Sequence, residues 1–138
     1  MFKKMLVLFL ALLTFISCYF TFEKPIFKDY SGDYTLYVNS NSSNAIMVNL
    51  SDNSYPLVLN KTGESVCFES SNFELQTLLN KYSAKLIFTE KIEDGICYYA
   101  FSPKIKYQKI VNGSKINLHV FVGEGRVVLG APVIFGSF

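Results

Sequence analysis

From residue 5 to residue 22 the chain carries no charge and no polar stripe (MLVLFLALLTFISCYFTF). A helix lying on a core shows one polar face; this segment shows none, and Lys3-Lys4 stand just before it. The pattern predicts an N-terminal hydrophobic helix over residues 1–22, acting as a signal peptide or a transmembrane anchor. With the lysines held inside, the rest of the chain is expected at the cell membrane on its outer face, or secreted if the segment is cleaved. An A-x-A-like cleavage site is missing. Ser17-Cys18 is a poor lipobox, so a retained anchor leads. Lipidation of Cys18 is the alternative, and Cys18 as one more apolar residue is the plain reading.

Residues 23–33 read as a tether, broken by Pro25 and Gly32. Residues 34–138 then read as one domain. Runs rich in β-formers cover residues 34–39, 45–50, 55–60 and 65–69, with an Asn/Ser-rich loop at 39–44. Lys61-Thr62-Gly63 reads as a turn that would pair the last two runs. One helix is predicted over residues 72–82. Ser71 and Glu74 have capping-box spacing, and Leu75, Leu78, Leu79 and Tyr82 form one apolar stripe.

Hairpins follow. Asp94-Gly95 suits a two-residue type I′ turn between residues 85–92 and 96–102. That register sets Ile92 opposite Cys97, Glu90 opposite Tyr99 and Phe88 opposite Phe101. It also offers the helix a face made of Leu86, Phe88, Ile92, Cys97, Tyr99 and Phe101. Asn112-Gly113 marks a second turn between residues 105–111 and 115–122. Ile116, Leu118 and Val120 then face inward, with Lys115, Asn117 and His119 outward. Gly123-Glu124-Gly125 turns the chain into residues 126–129, and residues 133–138 read as a last short strand. Hairpins and one helix make the fold class α+β, an antiparallel sheet with the helix packed on it.

Composition narrows the function classes. The chain has 138 residues, half of them apolar, enough for one packed core. Its net charge of +2 comes from Lys3 and Lys4, leaving 11 basic and 11 acidic residues in the body. A neutral body lacks the cationic face that nucleic-acid binding needs. The sequence offers no catalytic, cofactor-binding or metal-ligating set, with a single His and no C-x-x-C. Cys67 and Cys97 could form a disulfide in an oxidising compartment, or pack as core thiols, with Cys97 as a nucleophile the remaining possibility. His119 reads as an exposed strand residue facing away from Cys97. Glu90, Glu93 and Asp94 fix no acid–base geometry. Lys104, Lys106, Lys109 and Lys115 read as a solvated face.

The stretches 42–45 (SSNA), 63–65 (GES), 84–90 (AKLIFTE), 98–103 (YYAFSP), 117–120 (NLHV) and 130–138 (GAPVIFGSF) resemble a family of small exported proteins of Clostridia-like Firmicutes. That family is distantly similar to the YwmB-type α/β proteins, and no functional residues carry over from it. The expected function is a non-enzymatic, membrane-tethered binding or accessory module at the cell envelope, its partner a protein or cell-wall component. A small envelope hydrolase or thiol enzyme using Cys97 is the alternative. The resemblance alone adds a third, an accessory factor in envelope remodelling or sporulation.

Overall fold

The computed structural model describes residues 1–21, 25–38, 46–50 and 61–136, with residues 2, 18–21 and 46–50 described through their backbone alone. The expected strand at 55–60, the loop at 39–44 and the side chain of Cys18 lie outside that description.

Strands β1 (Asp33–Val38), β2 (Ile46–Leu50), β3 (Lys61–Glu69), β4 (Lys85–Ile92), β5 (Gly95–Phe101), β8 (Leu118–Gly123) and β9 (Arg126–Ala131) form one sheet in the order β2-β1-β3-β9-β8-β5-β4. Every pairing in it is antiparallel. Strands β6 (Lys109–Val111) and β7 (Ser114–Ile116) make a separate small hairpin. The expected mixture of helix and antiparallel sheet is present.

Helix α2 (Leu75–Lys81) lies on one face of the sheet. Its stripe buries Leu78 and Leu79, and Tyr82 follows, against Val66, Ala100, Leu118, Val120 and Leu129. Each such side chain withdrawn from water stabilises the fold by about 1.5–3 kcal/mol before entropy is counted. The helix begins three residues later than the capping spacing suggests. Residues 70–73 close a turn instead, with the Phe73 amide donating to the Ser70 carbonyl at 3.1 Å. Phe73 packs against the core rather than entering the helix. Glu74 becomes the N-cap without a side-chain cap bond. At the other end Ser83 takes φ 50°, a left-handed C-terminal turn usually given to glycine.

The sheet register corrects several expectations. Ile92 opposes Gly95, so Glu93 and Asp94 make the turn, Glu90 opposes Cys97 and Phe88 opposes Tyr99. Gly95 serves close approach instead of a positive φ: an added Cβ would collide with the Val122 carbonyl oxygen. The helix covers the face of Tyr98 and Ala100, opposite the one proposed for it, where Leu118, Val120 and Leu129 of the neighbouring strands continue the apolar surface. Lys61, Thr62 and Gly63 are strand, drawn out by pairing with β1. Asn112 and Gly113 do form a turn, at φ 48° and 75°. The strand after it breaks at Asn117, whose amide accepts from the Ser102 N–H (2.6 Å) and donates to the carbonyls of Ser102 (2.7 Å) and Ile105 (3.0 Å). Residues 133–136 are not a strand. They cross the sheet face opposite the helix after the cis Ala131–Pro132 bond.

Residues 25–30, expected as a tether, are part of the packed layer. Phe27 is fully buried beside Tyr82. The Tyr34 hydroxyl donates to the carbonyls of Phe27 and Tyr30, and Tyr82 to that of Ile26.

The N-terminal helix α1 (Phe2–Thr21) is present, but the membrane, signal and transmembrane readings of it are withdrawn. Among the described residues no helix is long and apolar enough to cross a membrane. Lys3 and Lys4 fall in its first turn. The uncharged remainder, residues 5–21, spans about 26 Å at the helical rise, against the ~30 Å of a hydrocarbon core. Its large apolar side chains between Met5 and Ile16 stand 46–81% exposed, so they add nothing to the core under α2.

Candidate functional site

The face away from α2 gathers the chemistry-bearing residues in two cross-strand rows. One row runs Cys67, Val128, Phe121, Cys97, Glu90; its neighbour runs Ser65, Gly130, His119, Tyr99, Phe88. Cys97 and His119 therefore share a face, which corrects the expectation that they point apart. His119 is only 3% exposed rather than solvated. Strand β8 lies between β5 and β9, and the segment after Pro132 folds over it. Gly130 permits that approach, since a Cβ there would meet the Ile134 backbone at 2.7 Å.

These groups are engaged with one another or with backbone. Phe88, Tyr99 and His119 stack at 4.3 and 4.2 Å between centroids, nearly parallel. The Tyr99 hydroxyl donates to Glu90 Oε2 at 3.2 Å. Burial, then Cys97 and Glu90, push its pKa up to about 12. Burial, with Glu90 behind it, also pushes up the Cys97 thiol. The thiolate needed for nucleophilic attack is thus scarce at neutral pH. His119 Nδ1 accepts from the Ile134 N–H at 3.2 Å, and burial lowers its pKa to about 4. A buried thiol held protonated and an imidazole tied to the backbone make a poor nucleophile–base pair.

Cys67 and Cys97 are free thiols. Val128 and Phe121 stand between them in the row, so three strand spacings, about 14 Å, separate the two. A disulfide needs Cα atoms within about 7 Å; the disulfide reading falls. Among the described residues no three His, Cys, Asp or Glu gather into a metal site.

On the helix face, fully buried Glu64 receives Lys61 Nζ at 2.7 Å and the Phe27 amide at 2.9 Å. Both charges are withdrawn from water, and the carboxylate fixes residues 25–30 over the sheet. Removing one partner from such a buried pair costs about 3–5 kcal/mol. This pair was not legible in the sequence, because Lys61 read as part of a turn.

An open cleft of about 590 Å³ lies where β3 leads into α2. Tyr30, Phe68 and Phe73 form its walls, and Glu69, Asn72 and Glu74 its polar edge. Tyr30 and Phe68 stack at 5.1 Å, and Phe73 meets Phe68 edge-on at 6.0 Å. Thr77 donates to Glu74 Oε2 at 2.7 Å, which orients that carboxylate. Lys81 Nζ stands 4.8 Å over the Tyr30 ring and 2.8 Å from Asp29. An ammonium thus already rests on this aromatic group, beside a carboxylate whose pKa Lys81 lowers. Sequence reasoning passed over all three aromatics. Phe73 alone carried a signal, a large apolar residue off the helical stripe that needed another home.

The class defined by these observations is an α+β protein with a helix on one face of an antiparallel sheet and an aromatic cleft at the helix entry. Comparison with family models, curated proteins and solved structures finds no match to this chain.

Proposed function

We propose that the protein is a non-enzymatic binding module whose cleft at Tyr30, Phe68 and Phe73 takes a basic side chain of a protein partner. The observation that carries this reading is the lining itself: aromatic walls for an apolar stem, with Glu69 and Glu74 beside them for a positive head. A cation held against aromatic faces and near carboxylates gains about 0.5–2 kcal/mol. The Lys81–Tyr30–Asp29 contact is an example of the same chemistry within the chain. The residues that could have served catalysis support the reading from the other side, since Cys97 and His119 are buried and engaged.

The test is a titration of the full-length protein with a Lys-rich peptide and an acidic control, followed through backbone amide shifts. Residues 68–77 should move with the basic peptide, more weakly as salt rises. Phe73→Ala or Glu74→Gln should weaken binding roughly tenfold, the equivalent of about 1.4 kcal/mol. Equal response to both peptides, or none, would sink the proposal. Iodoacetamide supplies a separate check: Cys97 should alkylate only after denaturation, whereas rapid reaction of the folded protein would favour the thiol-enzyme alternative.

A further inference from the structure

Strand β4 closes one end of the seven-stranded sheet, so among the described residues one side of its backbone has no strand beside it. Unpaired edges invite another strand, and proteins blunt them with charges, prolines and bulges. Here Leu86 and Ile87 are 38% and 39% exposed, and Ile96 on the neighbouring β5 is 37% exposed. No proline lies in β4, while Lys85, Glu90 and Lys91 supply charge.

The register of β4 against β5 shifts between Leu86 and Phe88, leaving Ile87 as the extra residue of a bulge. This changes which side chains share a face. Residues five apart on a regular strand point to opposite faces. Lys85 opposes Phe101 and Glu90 opposes Cys97, and Phe101 and Cys97 lie on one face of β5. Lys85 and Glu90 therefore share that face. Leu86, opposite Ala100, and Thr89, opposite Tyr98, share the other.

We infer that β4 pairs antiparallel with β4 of a second copy of this chain, about a two-fold axis between Ile87 and Phe88. That axis sets Lys85 against Glu90 of the second copy and Leu86 against its Thr89. Symmetry makes each contact twice, with both members of every pair on one face. Charge complementarity selects this register. Two-fold axes through Thr89, Glu90 or Lys91 also match faces over the regular part of the strand. Those through Glu90 and Lys91 set like charges directly opposite, which is destabilising, and the one through Thr89 pairs no opposite charges within the strand. Moving any of these axes by half a residue pairs side chains from opposite faces. The result joins two seven-stranded sheets into one and covers Leu86 and Ile87, with the bulges meeting at the axis. Interfaces of this kind are self-complementary by construction.

Sedimentation velocity of the full-length protein in non-ionic detergent, with the fold of each variant checked by near-ultraviolet circular dichroism, tests the inference. Wild type should sediment as a dimer. K85E and E90K should each weaken the dimer by at least about tenfold, since each places like charges opposite one another twice. The double variant K85E/E90K should recover wild-type association, because both pairs are restored with signs exchanged. If K85E does not fold, Lys85→Gln gives the same comparison with a smaller loss. A monomeric wild type, a dimer indifferent to the single reversals, or a double variant no better than its parents would each overturn the proposed interface.

Discussion

Strands β8 and β4 look alike as text and live in opposite surroundings. Leu118-His119-Val120-Phe121 mixes one polar residue into an apolar run, and so does Leu86-Ile87-Phe88-Thr89. In the structure all four residues of the first are buried, while Leu86, Ile87 and Thr89 of the second are exposed. The difference comes from strand order. β8 has a neighbour on each side, side chains of the α2 layer over one face and the Pro132 segment over the other. Among the described residues β4 has one neighbour. Hydrophobic content therefore states what a strand can bury, and its place in the sheet states what it does bury.

The largest test of that contrast is truncation of one apolar side chain in each strand. Phe121→Ala removes a fully buried ring and should lower unfolding free energy by about 3–5 kcal/mol. Ile87→Ala at the edge should cost under ~1 kcal/mol in the isolated protomer. Urea unfolding of both variants decides it, and equal losses would erase the distinction.

Asn117, just before β8, is the next point to break. Asn117→Ala strands the Ser102 amide and the carbonyls of Ser102 and Ile105, which are buried around it. The expected loss is about 2–4 kcal/mol, the desolvation cost of unsatisfied groups. The same denaturation experiment measures it.

His119 gives the inner strand a pH signature. Folding holds the imidazole neutral, with its pKa near 4 against 6.5 for the free group, so the unfolded chain takes the extra proton first. Stability from this group is whole above pH 6.5. It falls as the pH drops towards 4, by up to about 3 kcal/mol at 1.36 kcal/mol per unit. Thermal melts between pH 7 and 4 should show this slope in wild type and lose it in His119→Phe. A variant with the unchanged slope would assign it elsewhere.

Smaller effects are expected at the approach to β4. Ser83→Gly relieves a left-handed residue and should raise stability by about 0.5–1 kcal/mol, read as a higher melting temperature. Thr89→Ala on the exposed edge should stay within ~0.5 kcal/mol; a larger loss in the monomer would mean that this edge is packed after all.

The visible part of the fold in the sequence was its local part. The stripe of Leu75, Leu78, Leu79 and Tyr82 forecast the helix and its buried side, because a 3.6-residue period is written in adjacent turns. Asn112-Gly113 forecast a turn because few residues accept positive φ. The cleft escaped notice, since Tyr30, Phe68 and Phe73 are far apart in the chain or lie outside any periodic pattern. Asp94-Gly95 misled for a related reason. Its glycine answers to Val122 on a strand nearly thirty residues away, a demand no local rule records.

Sequence alone determined that these residues would make antiparallel strands and one short amphipathic helix, because alternation and helical stripe are properties of neighbouring positions. Only the tertiary structure decided that His119 is buried, that Cys67 and Cys97 stand too far apart to join, and that β4 is left at an edge. Those outcomes depend on which strand lies beside which. That choice is made by long-range pairing and by the covering of each sheet face, and a single strand's pattern contains neither.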